Sequence, residues 1–251
     1  MPIFEVFLSS PGDVPDERDD AQAVINDINN SGEFSNMFSL IKLYRWDDPK
    51  VVLPMSATNT PQKSVDLYMI LPSKCDLVVV IFGSRMGSPV IMDEREYLSG
   101  THYEYSEALS GYEQNGEPVV WLYRCQEVPN IALDDSERDK KIKQFDRVVT
   151  FFKQFQDEEG RYTGGVNTYK KHGDFKELFK GQLLTHLRYL RDNPKPEKPP
   201  TPVIAKVKID IPYKGLRPLD ESDAPIFFGR TLETLDIQTR INHKHFVAIL
   251  G

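Results

Sequence analysis

Two cysteines, Cys75 and Cys125, in 251 residues are too few for a disulfide framework or a thiolate-built metal cluster. Cys75 precedes one strand-like run and Cys125 follows another. If those runs are neighbouring parallel strands, the sulfurs stand at opposite ends, about 20 Å apart by strand rise. A disulfide tolerates a Cα separation of only about 7 Å, so both thiols are expected to be reduced bystanders. The five histidines lie apart and none pairs visibly with a nucleophile, which argues against a Ser/His or Cys/His hydrolase and against a metal site. No apolar run approaches the roughly 20 residues that cross a bilayer. The opening MPIFEVFLSS lacks the basic region and small-residue cleavage site of a signal peptide. The expected compartment is therefore the cytoplasm, with no membrane partner. A cationic excess is missing too: 31 Lys and Arg stand against 38 Asp and Glu, a net charge of −7, which excludes nucleic acid as the expected partner. The run GSRMG at 83–87 is not G-x-G-x-x-G, so no dinucleotide fingerprint is present.

What the chain does have is alternation. Residues 3–9 (IFEVFLS) form a β-rich run broken by Pro11-Gly12. A helix follows with Asp13 at the N-cap, Pro15 in the first turn, and Asp16 and Glu17 at the positive end of the dipole. Its apolar stripe is Ala21, Val24, Ile25 and Ile28. Residues 38–44 are a second strand, followed by the polar segment 45–60. Thr60-Pro61 opens a helix carrying Val65, Tyr68 and Met69, which Pro72 ends. Residues 76–82 (DLVVVIF) are apolar without alternation, as a central parallel strand should be.

The stretch 83–100 reads as a loop leading to a helix with Tyr105, Ala108, Leu109 and Tyr112 on one stripe. Residues 118–123 are a fourth strand. Ile142, Phe145, Val149 and Phe152 mark a helix whose charged start, 134–143, is a solvated face. Residues 165–169 are a fifth strand, and Phe175, Phe179, Leu183, Leu187 and Leu190 mark a last helix. The predicted fold is α/β: a flavodoxin-like five-stranded parallel sheet with helices on both faces. The predicted organisation is a domain over 1–192, a proline-rich linker over 193–212 (containing NPKPEKPPTP), and a further fragment over 213–251.

Three segments carry a family resemblance. VFLSSPGDV resembles the first strand and turn of TIR domains. SGTHYEYSEAL resembles the TIR helix in which a serine, here Ser99, precedes a glutamate, here Glu104, by five positions. PQKSVDLYMILPSKCDLVVVIFGSRMGSP looks like bacterial TIR-like domains fused to regulatory NTPases. The likeness covers roughly residues 1–190. The tail PYKGLRPLDESDAPIFFGRTLETLDIQTRINHKHFVAILG is similar to the lead-in segment of STAND-class NTPases, which precedes a P-loop. There 246–250 would be the P-loop strand and Gly251 the first glycine of G-x-x-x-x-G-K-[ST]. The ATP site itself is absent from the sequence, so no bound cofactor is expected.

Ligands of open parallel sheets bind beyond the carboxyl ends of the strands, where strand order reverses. That places residues 9–13 and 83–101 at the crevice. Glu104 falls in the first turn of its helix, one position or about 100° off the apolar stripe, where the dipole keeps a carboxylate ionised. TIR domains that are enzymes cleave the nicotinamide–ribose bond of NAD, and the resemblance implies NAD as substrate and Glu104 as the catalytic anion, with Glu107 one turn on as the alternative. The remaining substrate-binding candidates are Ser9, Ser10, Asp13, Trp46 and Arg85. Each has an ordinary role as well: Ser9 and Ser10 in a turn, Asp13 as a cap, Trp46 half-buried at a strand end, Arg85 in solvent. In TIR domains the loop at 45–60 contacts a neighbouring copy, so a homo-oligomer is implied. The architecture resembles that of bacterial defence proteins in which loss of NAD harms the infected cell. The alternatives are a non-catalytic self-association module and, more remotely, a binder of nucleotide second messengers.

Overall fold

A computed structural model describes residues 1–194, apart from Val52, Leu53, Met55, Ser56 and Asn59. The expected linker beyond Pro194, the fragment 213–251 and the expected P-loop strand lie outside the described residues.

The apolar runs form β1 (Ile3–Ser9), β2 (Leu40–Arg45), β3 (Leu77–Phe82), β6 (Val119–Cys125) and β7 (Val166–Tyr169), all parallel in the order β2-β1-β3-β6-β7. This is the flavodoxin-like arrangement that the alternation predicts. The helices are α1 (Pro15–Ser31), α2 (Pro61–Tyr68), α3 (Gly100–Asn115), α4 (Arg138–Lys153) and α5 (His172–Asp192), with a 3-10 turn at Pro72–Lys74. Every residue of β3 is buried, and its side chains divide between two cores. Leu77, Val79 and Ile81 meet Ala21, Val24 and Ile25 of α1 and Phe179, Leu183 and Leu187 of α5. Val78, Val80 and Phe82 meet Ala108 of α3 and Val148, Phe151 and Phe152 of α4. The period-2 geometry of a strand thus lets one unbroken apolar run serve both faces. Among the described residues, no helix is long and apolar enough to cross a membrane.

Four local expectations are corrected. Asp13 is not the N-cap of α1: Val14 occupies that position without a side-chain bond, and the Asp13 carboxylate turns to β3's loop instead. The buried face of α3 is Thr101, Glu104, Ala108 and Gly111, whereas Tyr112 is 53% exposed. Small residues decide this phase, because α3 seats closely on the 3-10 turn. A Cβ on Gly111 would stand 2.9 Å from the Ser73 Cα. In α4 the buried residues are Val148, Phe151 and Phe152 rather than Ile142 and Val149. Here aromatic bulk decides, since the Phe151 and Phe152 rings lie 5.1 and 5.9 Å from that of Phe82. Finally, the stretch read as a loop holds an antiparallel hairpin, β4 (Val90–Met92) and β5 (Arg95–Tyr97). Its two-residue turn, Asp93-Glu94, takes φ of 47° and 63° without the Asn-Gly signature, and three-residue strands show no readable period.

Candidate functional site

The site grows from the carboxyl end of β1. Ser99 caps α3, its side chain accepting from the His102 backbone N–H at 3.1 Å, so the helix begins at Gly100. Glu104 is therefore its fifth residue, beyond the first turn, and the close seating of α3 carries it inward. It is 6% exposed rather than on the surface. Its Oε2 accepts from the Ser9 hydroxyl, and its Oε1 accepts from Gln62 Nε2 of α2 at 2.9 Å. Gln62 lies across the start of α3 because position 100 is glycine: a Cβ there would stand 2.3 Å from the Gln62 Oε1. Gln62 also donates to Asp66 Oδ1 at 3.2 Å, and the Tyr103 hydroxyl donates to Asp66 Oδ2 at 3.0 Å.

This setting reverses the expected electrostatics of Glu104. Burial pushes its carboxyl up from 4.5 to about 7, with the Asp66 and Glu107 charges adding, against the lowering bonds from Ser9 and Gln62. Burial also raises Asp66, and burial together with the Asp66 charge raises the Tyr103 hydroxyl. A carboxyl poised near neutrality at the mouth of a parallel sheet can hold an anion or exchange a proton with only a small change of surroundings.

Glu107, the alternative anion, has a different task. Its Oε2 accepts from the Ser73 N–H at 2.6 Å and its Oε1 from the Ser73 hydroxyl, so it fastens the 3-10 turn to α3. Glu107→Ala is expected to cost about 2 kcal/mol by stranding those donors. Thermal melts should show this as a drop of roughly 4–8 °C; an unshifted melt would show that the turn is held elsewhere.

The other candidates divide into two groups. Ser10 accepts from Arg18 Nη1 at 3.0 Å, and Arg18 also donates to the Pro11 carbonyl at 2.8 Å. Trp46 follows the last residue of β2 and is 42% exposed, with the Arg18 guanidinium 5.3 Å from its ring centroid. Asp47 bridges Arg18 Nε and Arg45 Nε, each at 2.6 Å. Asp13 and Arg85 instead line a separate cleft against α4, which does not include Ser9 or Glu104. The structure therefore unites Ser9 with Glu104 and sets Asp13 and Arg85 apart from them.

Gln62, Asp66, Tyr103, Arg18 and Asp47 escaped sequence reasoning. Arg18 could have been found, because it lies on the Ala21/Ile25/Ile28 stripe, where a cation must be buried and paired. Gln62 carries no such signal. Among the described residues, no group of three or more His, Cys, Asp or Glu side chains is placed to hold a metal. Both cysteines are free.

Residues 5–180 match the family described as a domain of unknown function, DUF4062, and the chain belongs to that family. No curated protein and no solved structure matches the chain.

Proposed function

We propose that this domain is a TIR-like effector module that cleaves the nicotinamide–ribose bond of NAD, with Glu104 as the catalytic anion. The observation that carries the reading is the Glu104 carboxylate itself, held by Ser9 and Gln62 at the carboxyl end of β1, beside β3. That is the edge of the sheet where open parallel folds bind ligands. In the reaction the ribose C1′–N bond breaks and its electron pair leaves with nicotinamide. Positive charge develops on the ribose ring, and water then adds to C1′ and releases a proton. An anion beside the ring, accepting from ribose hydroxyls in place of Ser9 and Gln62, lowers the barrier by stabilising that charge.

At 6% exposure Glu104 is closed to a substrate, so the resting domain is inactive until α2 withdraws. Contact between copies, driven by a STAND-type NTPase fused after the domain, supplies that opening. Purified protein at high concentration should release nicotinamide from NAD, measured by chromatography. Specific activity should fall as the protein is diluted a hundredfold. The same closure favours a second reading, a self-association module without chemistry. No nicotinamide at any concentration, even with an oligomerising tag, would leave that second reading standing.

A further inference from the structure

The cleft that Asp13 and Arg85 share lies on the α4 side of the sheet's carboxyl edge and encloses about 480 Å³. Its floor holds an anion already. Asp13 Oδ2 accepts from two successive backbone N–H groups, those of Ser84 at 2.7 Å and Arg85 at 3.0 Å, and from the Ser84 hydroxyl at 3.1 Å. Successive N–H groups converging on one point form a nest of the type that binds phosphate oxygens. The carboxylate reaches it only because position 83 is glycine, since a Cβ there would stand 2.7 Å from Asp13 Oδ2. Asp13 fills the nest imperfectly: its Oδ1 is shut from solvent with no hydrogen-bond partner.

The walls carry positive charge that is held loosely or not at all. Arg85 is exposed, and its guanidinium has no ion-pair partner among the described residues. Lys140 pairs with Glu137 at 2.8 Å on open surface, and Lys141 pairs with Asp135. The Lys140–Glu137 pair, exposed on both sides, exchanges partners at little cost. Gln144 braces the same loop, its Oε1 accepting from the Met86 and Gly87 N–H groups at 3.0 and 2.9 Å. Asp13 sits in the nest, Glu137 pairs with Lys140 and Asp135 pairs with Lys141, so Arg85 is the cation of the cleft that faces an incoming anion without a carboxylate partner, and the two lysines join it by exchanging theirs.

The geometry points to a second ligand site, distinct from Glu104, for a small phosphorylated compound. Its phosphoryl oxygens take the Ser84 and Arg85 N–H groups in exchange for Asp13, while Arg85, Lys140 and Lys141 close on the remaining charge. The inference stands whether or not the domain cleaves NAD. Calorimetric titration of the full chain with pyrophosphate, inorganic phosphate and ADP-ribose tests it and distinguishes a bare anion from a nucleotide-derived ligand. At least one of the three should bind. Arg85→Ala, an exposed position that leaves the fold intact, should weaken that binding tenfold or more. Asp13→Ala should tighten it, and Glu104→Gln should leave it unchanged. No binding of any of the three to the wild-type chain, or binding indifferent to Arg85→Ala, overturns the site.

Discussion

Glu104→Gln is expected to lower NAD cleavage by about 10²–10³, the usual effect of deleting one preorganised electrostatic contact from a transition state. Glutamine keeps the shape and can still bond Ser9 and Gln62, so the loss isolates the charge. The same substitution should make the domain more stable at alkaline pH. In the folded protein the Glu104 carboxyl titrates at about 7 against 4.5 in the open chain, because it is buried. The folded state therefore binds more protons than the unfolded state between those values, and stability falls as pH rises through that window. At 1.36 kcal/mol per unit the total is on the order of 3 kcal/mol. Wild type and variant should melt together near pH 4, and the variant should melt higher by pH 8. Cleavage by the wild type should rise as pH passes about 7, since the anion is the active form. Undiminished cleavage in Glu104→Gln would remove Glu104 from the chemistry, and parallel pH–stability curves would remove it from the buried site.

That pairing of lost activity with gained stability was only half legible in the sequence. The TIR resemblance singles out Glu104 after Ser99, while strand alternation fixes only which loops meet at the carboxyl edge. The burial of Glu104 was not legible. Burial depends on how closely α3 approaches the 3-10 turn, which Gly111 and Ser73 decide across a long sequence separation. Of the expected stripe Tyr105, Ala108, Leu109 and Tyr112, Ala108 is fully buried and Tyr105 packs against its cluster, while Tyr112 faces solvent. β3 is legible as one unbroken apolar run, and the buried face of α5 as the i+4 series Phe175, Phe179, Leu183 and Leu187, because neither signal depends on a distant partner. Asp13 illustrates the opposite case. Its local context is a cap, but a donor pair from β3's loop, 71 residues away in sequence, offers its carboxylate a better partner. Tertiary donors of that kind leave no trace in local sequence.

Asp47→Asn is expected to destabilise the domain by about 3 kcal/mol, because it leaves two buried guanidinium groups without their shared anion. The Arg18 and Arg45 side chains are 3% and 6% exposed, and the Asp47 side chain is 19% exposed. Asp47 accepts from Arg18 Nε at 2.6 Å, from Arg45 Nε at 2.6 Å and from Arg45 Nη2 at 3.0 Å. Arg45 retains Asp19 at 2.7 Å, but that carboxylate is 73% exposed and largely screened by water. An amide at position 47 keeps one acceptor and turns a donor toward cations that already donate. Melting at pH 7 should fall by roughly 6–12 °C. Burial alone would raise the Asp47 carboxyl, but the bonds from Arg45 and the charge of Arg18 outweigh it and hold the group below its ordinary 3.8. The stabilisation it gives is thus complete above that value and is lost as pH falls through the lower, folded one. Wild type and Asp47→Asn should accordingly separate at neutral pH and converge in strong acid. Equal melting at pH 7 would mean that Arg18 and Arg45 find other counter-charges. The attachment of the Trp46 segment to α1 would then rest on the contact between the Trp46 ring and Arg18.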